Sequence, residues 1–235
     1  ICQSVAMPVA YIVLALIFTL ELYNASTRID GAGGGATFGA EIVFKTMIKF
    51  VLCKLAVDMT PQILGAIFEL SSNIIGNISG GAPGTSVAAD LDALRASISG
   101  LNGIFPKLFL CLQVTIIWIV FKFSSMLITV VVIGRMVEIY IYTAIAAVPI
   151  ATLGGGDLGM IGKNFLKSFA AVCVQGVLIY IAMSMFGTLA VSIPSGGLAG
   201  GDVTGVLFQC LLYSLVLVMA VFSSGRLAKS ICNAM

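Results

Sequence analysis

The sequence contains no histidine and few charged residues. Without histidine, His-based metal sites, Ser-His and Cys-His catalysis and the usual proton shuttle are all excluded. Only 9% of the 235 residues are charged, against roughly 25% in a soluble domain. The 12 basic and 10 acidic side chains could not cover a water-facing surface, so we expect a polytopic membrane protein rather than a soluble domain.

Motifs of enzyme chemistry are also missing. The six cysteines form no CxxC pair and mostly lie in or beside apolar runs, so they predict neither structural zinc nor a disulfide framework. A phosphate-binding loop ending at Gly162 and Lys163 is excluded, because Asp157 replaces its first glycine and Asn164 its Ser or Thr. We therefore predict no enzymatic activity, no metal and no cofactor. A net charge of +2 without a basic block indicates no sequence-reading nucleic-acid surface.

Long apolar runs dominate what is present. A bilayer core of about 30 Å needs about 20 helical residues, and suitable runs lie near 5–22, 108–151, 165–193 and 203–222. The run 108–151 would measure about 66 Å as one helix. It is therefore either two spans that meet near 122–125 or 133–136, or one helix that projects beyond the membrane. We predict an all-α polytopic transmembrane protein, with about five spans plus short interfacial helices.

Polar stretches divide the chain into three predicted parts. Residues 1–79 form an N-terminal span plus amphipathic helices. Residues 80–106 form an extramembrane loop with a short helix at 86–99. Residues 107–235 form a C-terminal helical membrane core with a short basic tail.

The first part leaves two alternatives open. The polar, glycine-rich segment 23–41 is typical of a loop. Segment 42–59 carries lysines on more than one face, so it is either an interface-associated helix or one inserted against a wet cavity. Thr60 and Pro61 then resemble an N-cap and a first helical position. The helix that follows, 61–79, is predicted to bury a stripe, which consists of Ile63, Ile67, Leu70, Ile74 and Ile78.

Polar residues inside apolar runs are the candidate functional residues, because a charge at membrane depth needs a partner or water. Arg135 and Glu138 have i,i+3 spacing. They either neutralise each other at an interface or line a polar pathway or subunit contact; in both cases we predict that they face protein or water. Lys122, which has no local partner, is either a snorkelling helix end or a functional charge. Gln175 and Gln209 are predicted to hydrogen-bond between helices.

Small residues indicate a close helix contact. Thr143, Ala147 and Ala151 form a ridge at i, i+4 and i+8, which would let helices approach closely in lipid. Pro149 lies on the same segment and is predicted to bend it. The basic residues of the C-terminal tail favour a cytoplasmic C-terminus by the positive-inside rule.

Three blocks in the C-terminal half carry a family resemblance: "GRMVEIYIYTAIAAVPIATL", "IGKNFLKSFAAVCVQGVLIYIAMSMFG" and "LVLVMAVFSSGRLAKSICNAM". They resemble the TrbL/VirB-type polytopic membrane proteins of conjugative type IV secretion systems, in the version found in conjugative elements of Firmicutes. The resemblance is strongest over 134–235. It is looser over 5–110, where "EIVFKTMIKFVLCKLAVDMTPQILGAI" and "AADLDALRASISGL" carry it.

The resemblance implies a channel or scaffold subunit of the bacterial cytoplasmic membrane, which helps to translocate a DNA–protein substrate. Implied partners are other secretion-system subunits including separate ATPases, membrane lipid, further copies of the chain, and the substrate in transient contact. The resemblance carries no catalytic motif, and it implies sequence upstream of Ile1. Two alternatives stay open: a small-solute transporter or ion channel, and a non-conducting assembly factor that docks through 80–106.

Overall fold

The structure, a computed structural model, describes residues 5–31, 36–81, 104–156, 158–197 and 203–233. These residues are helical almost throughout and include no strand. The helices are α1 (Met7–Gly31), α2 (Ala36–Asp58), α3 (Thr60–Gly81), α4 (Ile104–Ile145), α5 (Ala147–Ala151), α6 (Gly159–Gly197) and α7 (Val203–Ile231), with a 3₁₀ turn (Thr152–Gly154) between α5 and α6. The all-α prediction is confirmed.

Four helices of the described ranges have the length and composition to cross a bilayer: Met7–Thr27, Lys107–Ile145, Gly159–Leu189 and Phe208–Ile231. Many large apolar side chains on these helices are exposed, as expected of surfaces that face lipid. Because α2 and α3 are long but more polar, they are additional helices rather than candidate spans. The chain is therefore a multi-pass helical membrane protein.

Helix α4 decides between the two alternatives for the run 108–151. It is continuous from Ile104 to Ile145, through both sites where a turn was considered. At about 1.5 Å per residue its 42 residues measure about 63 Å, twice a bilayer core. The helix does not break at either site because Gly134 is the only helix breaker near them. A single glycine destabilises a helix by only about 1 kcal/mol.

Other helices are also longer than the sequence predicted. The loop prediction for 23–41 is wrong over 23–31 and 36–41, which extend α1 and α2. Helix α6 continues through Pro194 to Gly197, and α7 includes most of the basic tail. The predicted short helix at 86–99 lies outside the described residues.

Residues 1–70, 136–173 and 229–235 form one compact unit, here called unit 1. Its core joins the N-terminal helices to α5 and the start of α6. The buried apolar residues of this core are Ala6, Ala10, Leu14, Cys53, Val57, Leu64, Ala146, Ala147, Ile150, Ala151, Phe169 and Cys173. Seven of these twelve residues are alanine or cysteine, which lets the helices approach closely.

Residues 71–135 and 174–228 form the second compact unit, here called unit 2. It contains most of α4, the C-terminal part of α6 and most of α7. Its buried side chains in the described ranges include five polar residues, which are Ser71, Ser124, Gln175, Ser214 and Ser224.

The junction between α2 and α3 differs from the predicted cap. Thr60 does not cap the helix that follows, because its hydroxyl donates to the Ala56 carbonyl 3.0 Å away. The backbone hydrogen bonds from Met59 to Leu55 and from Ile63 to Met59 carry the helical pattern across the junction. The buried face of α3 also differs from the predicted stripe: Leu64 and Ser71 are buried, whereas Leu70 is 65% exposed.

Candidate functional site

Helices α1 and α2 pack side by side in unit 1 and form the frame of a polar site. The Tyr11 hydroxyl donates a 2.6 Å hydrogen bond to the Asp58 carboxylate near one end of the pair. Seven residues along α1, the rings of Phe18 and Phe50 lie 4.3 Å apart. Because the numbers rise along α1 while they fall along α2, the helices are antiparallel.

The chain between α5 and α6 turns against this pair of helices. Both α5 and the 3₁₀ turn contact α1 and α2. Pro149 has no N–H to donate to the Ile145 carbonyl, which explains why α4 ends there. Ala146 nevertheless keeps helical angles (φ −51°, ψ −36°), so α5 continues from α4 with only a local break.

Glu21 is the acidic residue of this site. Its carboxylate accepts a hydrogen bond from the backbone N–H of Gly156, which follows the 3₁₀ turn. Glu21 and Lys49 both line one small cavity, whose other walls are mainly apolar side chains and Gly154. A carboxylate inside a candidate span thus has a donor, which is how such groups are kept at membrane depth.

Glycines allow the turn to approach its neighbours. A Cβ on Gly162 would lie 2.6 Å from the Pro149 carbonyl oxygen and 2.8 Å from Leu153. A Cβ on Gly154 would lie 3.1 Å from the Cys53 sulfur. Burial raises the pKa of the Cys53 thiol, an effect that the nearby positive charge of Lys49 partly offsets. The thiol therefore stays protonated near neutral pH and packs as a small apolar group.

The structure places Arg135 and Glu138 on successive turns of the continuous helix α4, both half-buried. Their i,i+3 spacing puts them on one helix face. Their pairing with each other remains a prediction.

Lys122 has a neighbour that the sequence interpretation missed. Its ammonium group lies 5.7 Å from the centre of the Trp118 ring, one helical turn earlier on α4. The expectation that Lys122 has no local partner is therefore wrong, and the i,i+4 position of the single tryptophan was the signal for a cation–π contact.

Gln175 is the predicted polar residue that the structure buries most completely. It is 4% exposed, and its amide donates a 3.2 Å hydrogen bond to the Ser224 hydroxyl on α7. Ser224 in turn donates to the Val221 carbonyl at 2.6 Å. Gly225 makes room for this contact, since a Cβ there would lie 3.1 Å from the Gln175 amide nitrogen. Gln209, in contrast, donates to Tyr213 on its own helix.

The predicted ridge lies partly in the core of unit 1. Ala147 and Ala151 are fully buried there. Thr143 is half-buried, and its hydroxyl donates to the Ile139 carbonyl at 2.8 Å. Close by, the Tyr142 ring lies 5.5 Å from the Phe165 ring and 6.3 Å from the Phe169 ring.

Within the described residues, no group of three or more His, Cys, Asp or Glu side chains could hold a metal ion. The candidate site is the set of polar side chains described above, which lie in or beside helices that have the length and composition to cross a membrane.

Comparison with known protein families shows which family the chain belongs to. The family described as "TrbL/VirB6 plasmid conjugal transfer like protein" matches residues 1–147. The chain belongs to this family. The match covers the N-terminal part, where the resemblance looked looser, and most of the first C-terminal block. No curated protein and no solved structure matched this TrbL/VirB6-like chain.

Proposed function

We propose that this TrbL/VirB6-like protein is a channel or scaffold subunit of a conjugative type IV secretion system, which helps to move a DNA–protein substrate across the cytoplasmic membrane. The observation that carries the proposal is the family match over residues 1–147. Membership of a conjugal transfer family implies a secretion component. Four candidate spans are consistent with a membrane position for that component.

Polar groups at membrane depth support a role beyond anchoring. A simple anchor has no need for Gln175 in a buried contact or for charged Lys122, Arg135 and Glu138 within its spans. We propose that these residues line a polar pathway or a contact between subunits. Separate ATPases supply the energy in this proposal, and further copies of the chain complete the conduit.

Orientation follows from the basic residues. Lys163 and Lys167 lie in the first turns of α6, and Arg226 and Lys229 lie near the end of α7. By the positive-inside rule we propose that the C-terminus is cytoplasmic. Alkylation of a cysteine added after Met235 by an impermeant reagent, in intact and in opened cells, tests this orientation. Labelling in intact cells would contradict it.

Deletion of the gene in a donor cell tests the proposed function. We expect DNA transfer to be lost while nicking of the transfer origin continues, because translocation follows substrate processing. Complementation with the intact chain should restore transfer. Normal transfer in the deletion strain would reject the proposal, and a loss of nicking would assign the protein to an earlier step.

A further inference from the structure

Unit 2 contains a cleft of about 240 Å³ between α4, α6 and α7. Four hydroxyl side chains line it, namely Ser124, Ser125, Thr129 and Ser214. The other lining residues are Phe121, Ile128, Met183, Phe186 and Leu217. All nine residues lie within candidate spans. The cleft is separate from the predicted charged residues and from the Gln175–Ser224 contact.

The α4 side of the cleft follows from helical spacing. Residues 121, 124, 125, 128 and 129 recur at i, i+3, i+4, i+7 and i+8, which places them on one face of the helix. Lys122 is not among the lining residues. The lining therefore carries no charged group.

Hydroxyl groups in the cleft have unused hydrogen-bonding capacity. Thr129 donates to the Ser125 carbonyl at 2.9 Å, and Ser214 donates to the Leu211 carbonyl at 2.8 Å. Each of these hydroxyls still has an oxygen that can accept. Ser124 is only 9% exposed, and its hydroxyl can both donate and accept. Hydroxyl groups that are removed from bulk water need hydrogen-bond partners, which points to an occupant that can hydrogen-bond.

We propose that this cleft is a water-filled cavity at membrane depth. Its volume has room for about eight water molecules, at about 30 Å³ each, and its four hydroxyls supply the polar partners that such waters need. A metal ion is disfavoured because the lining has no carboxylate, and an anion because it has no cation. Acyl chains would fill the volume but would offer no hydrogen-bond donor to the hydroxyl oxygens that line it. The inference does not rest on the proposed secretion role.

Reactivity of introduced cysteines with a charged, water-soluble methanethiosulfonate tests the cavity. The cleft variants are Ser124→Cys, Thr129→Cys and Ser214→Cys, and the controls are Met126→Cys, Val130→Cys and Val216→Cys on the exposed faces of the same helices. The experiment uses the full chain in opened membrane vesicles. Mass spectrometry of each peptide separates the introduced cysteine from the native ones.

We expect the cleft cysteines to react at least about tenfold faster than their controls, because only the thiolate reacts and a thiol in hydrocarbon stays protonated. Equally slow reaction in both sets would overturn the proposal, since the cleft would then be dry. Equally fast reaction in both sets would also overturn it, because water would then reach the whole helix surface.

Filling the cleft with an apolar side chain gives a second test. Ser125→Leu places an apolar side chain in the cavity and should slow labelling of Ser214→Cys at least about tenfold by displacing water. Labelling of Met126→Cys should not change. If Ser214→Cys reacts at the same rate with and without Ser125→Leu, the two residues do not share a hydrated space and the proposal fails.

Discussion

The two units of this protein bury different kinds of side chain. In the described part of unit 1 the buried residues are nearly all apolar, with Thr60 and Thr152 as the polar ones. In the described part of unit 2 the five buried polar residues are matched by five apolar ones, which are Ile117, Val177, Ile179, Val221 and Ala228. Helix α2 of unit 1 is more polar in composition than α4, most of which lies in unit 2, so composition alone does not explain the difference.

The difference shows how each unit is held together in lipid. Lipid tails solvate apolar side chains, so helices in a bilayer associate through close packing and hydrogen bonds rather than through the hydrophobic effect. Unit 1 relies on close packing, with alanines and glycines at its contacts. Unit 2 relies more on polar contacts such as Gln175–Ser224 and contains a hydroxyl-lined cleft. We propose that the packed core of unit 1 chiefly serves stability and that the Gln175–Ser224 contact of unit 2 serves transfer.

The largest expected loss of stability comes from a substitution that leaves a cavity in the core of unit 1. Phe169→Ala removes a ring that is 1% exposed. It should lower the free energy of unfolding by about 3 kcal/mol, near the low end for such truncations because lipid reduces the transfer contribution. Equilibrium unfolding in mixed micelles measures it, with Met160→Ala, 66% exposed on the same helix, as the control. Equal effects of the two variants would contradict the packed core.

Overpacking of the turn should have the next largest effect. Gly162→Ala forces a methyl group against the Pro149 carbonyl and should cost about 2 kcal/mol. Gly176→Ala on the same helix is the matched control, because no atom lies within 4 Å of the added Cβ. The control should be neutral or slightly stabilising, since alanine favours a helix. A stable Gly162→Ala protein would show that α6 does not approach α5 so closely.

Loss of the Gln175–Ser224 hydrogen bond in unit 2 should lower the free energy of unfolding by less than these core substitutions do. Gln175→Leu removes the hydrogen bond to Ser224, and contacts of this kind average about 0.6 kcal/mol in membrane proteins. Gln209→Leu, which breaks an exposed bond within one helix, should have no measurable effect on stability. A loss above about 3 kcal/mol for Gln175→Leu would mean that unit 2 depends on this contact as unit 1 depends on its core.

The smallest expected effect on stability comes from loss of the contact between Lys122 and Trp118. Removing the lysine alone also removes a charge from a span, so a double-mutant cycle with Lys122→Met and Trp118→Leu is needed to isolate their contact. We expect a coupling free energy of about 0.5 kcal/mol, as for exposed cation–π pairs. A coupling of zero in mixed micelles would show that the 5.7 Å approach contributes nothing.

The helical class and the approximate spans could be predicted because long apolar runs leave few alternatives. Helix ends could not, because polar residues such as Asn24 and Thr27 continue α1 where the local composition suggested a loop. Pro194 was read as a turn, but it lies within α6.

The candidate site was predictable only in part, since its geometry comes from contacts between distant segments. The sequence drew attention to Gln175 but gave no sign of Ser224, 49 residues away. Glu21 was visible as the first charge in the first apolar run. Its partner is a backbone N–H at Gly156, which no residue pattern identifies.

The division of roles between the units is tested most directly by transfer frequency per molecule of membrane-inserted protein. Phe169→Ala should lower transfer only in proportion to the amount of protein left in the membrane. Gln175→Leu should leave that amount nearly unchanged and still lower transfer at least about tenfold, because its side chain is one of the polar groups proposed to serve the pathway. Full transfer by Gln175→Leu at normal protein levels would contradict the account.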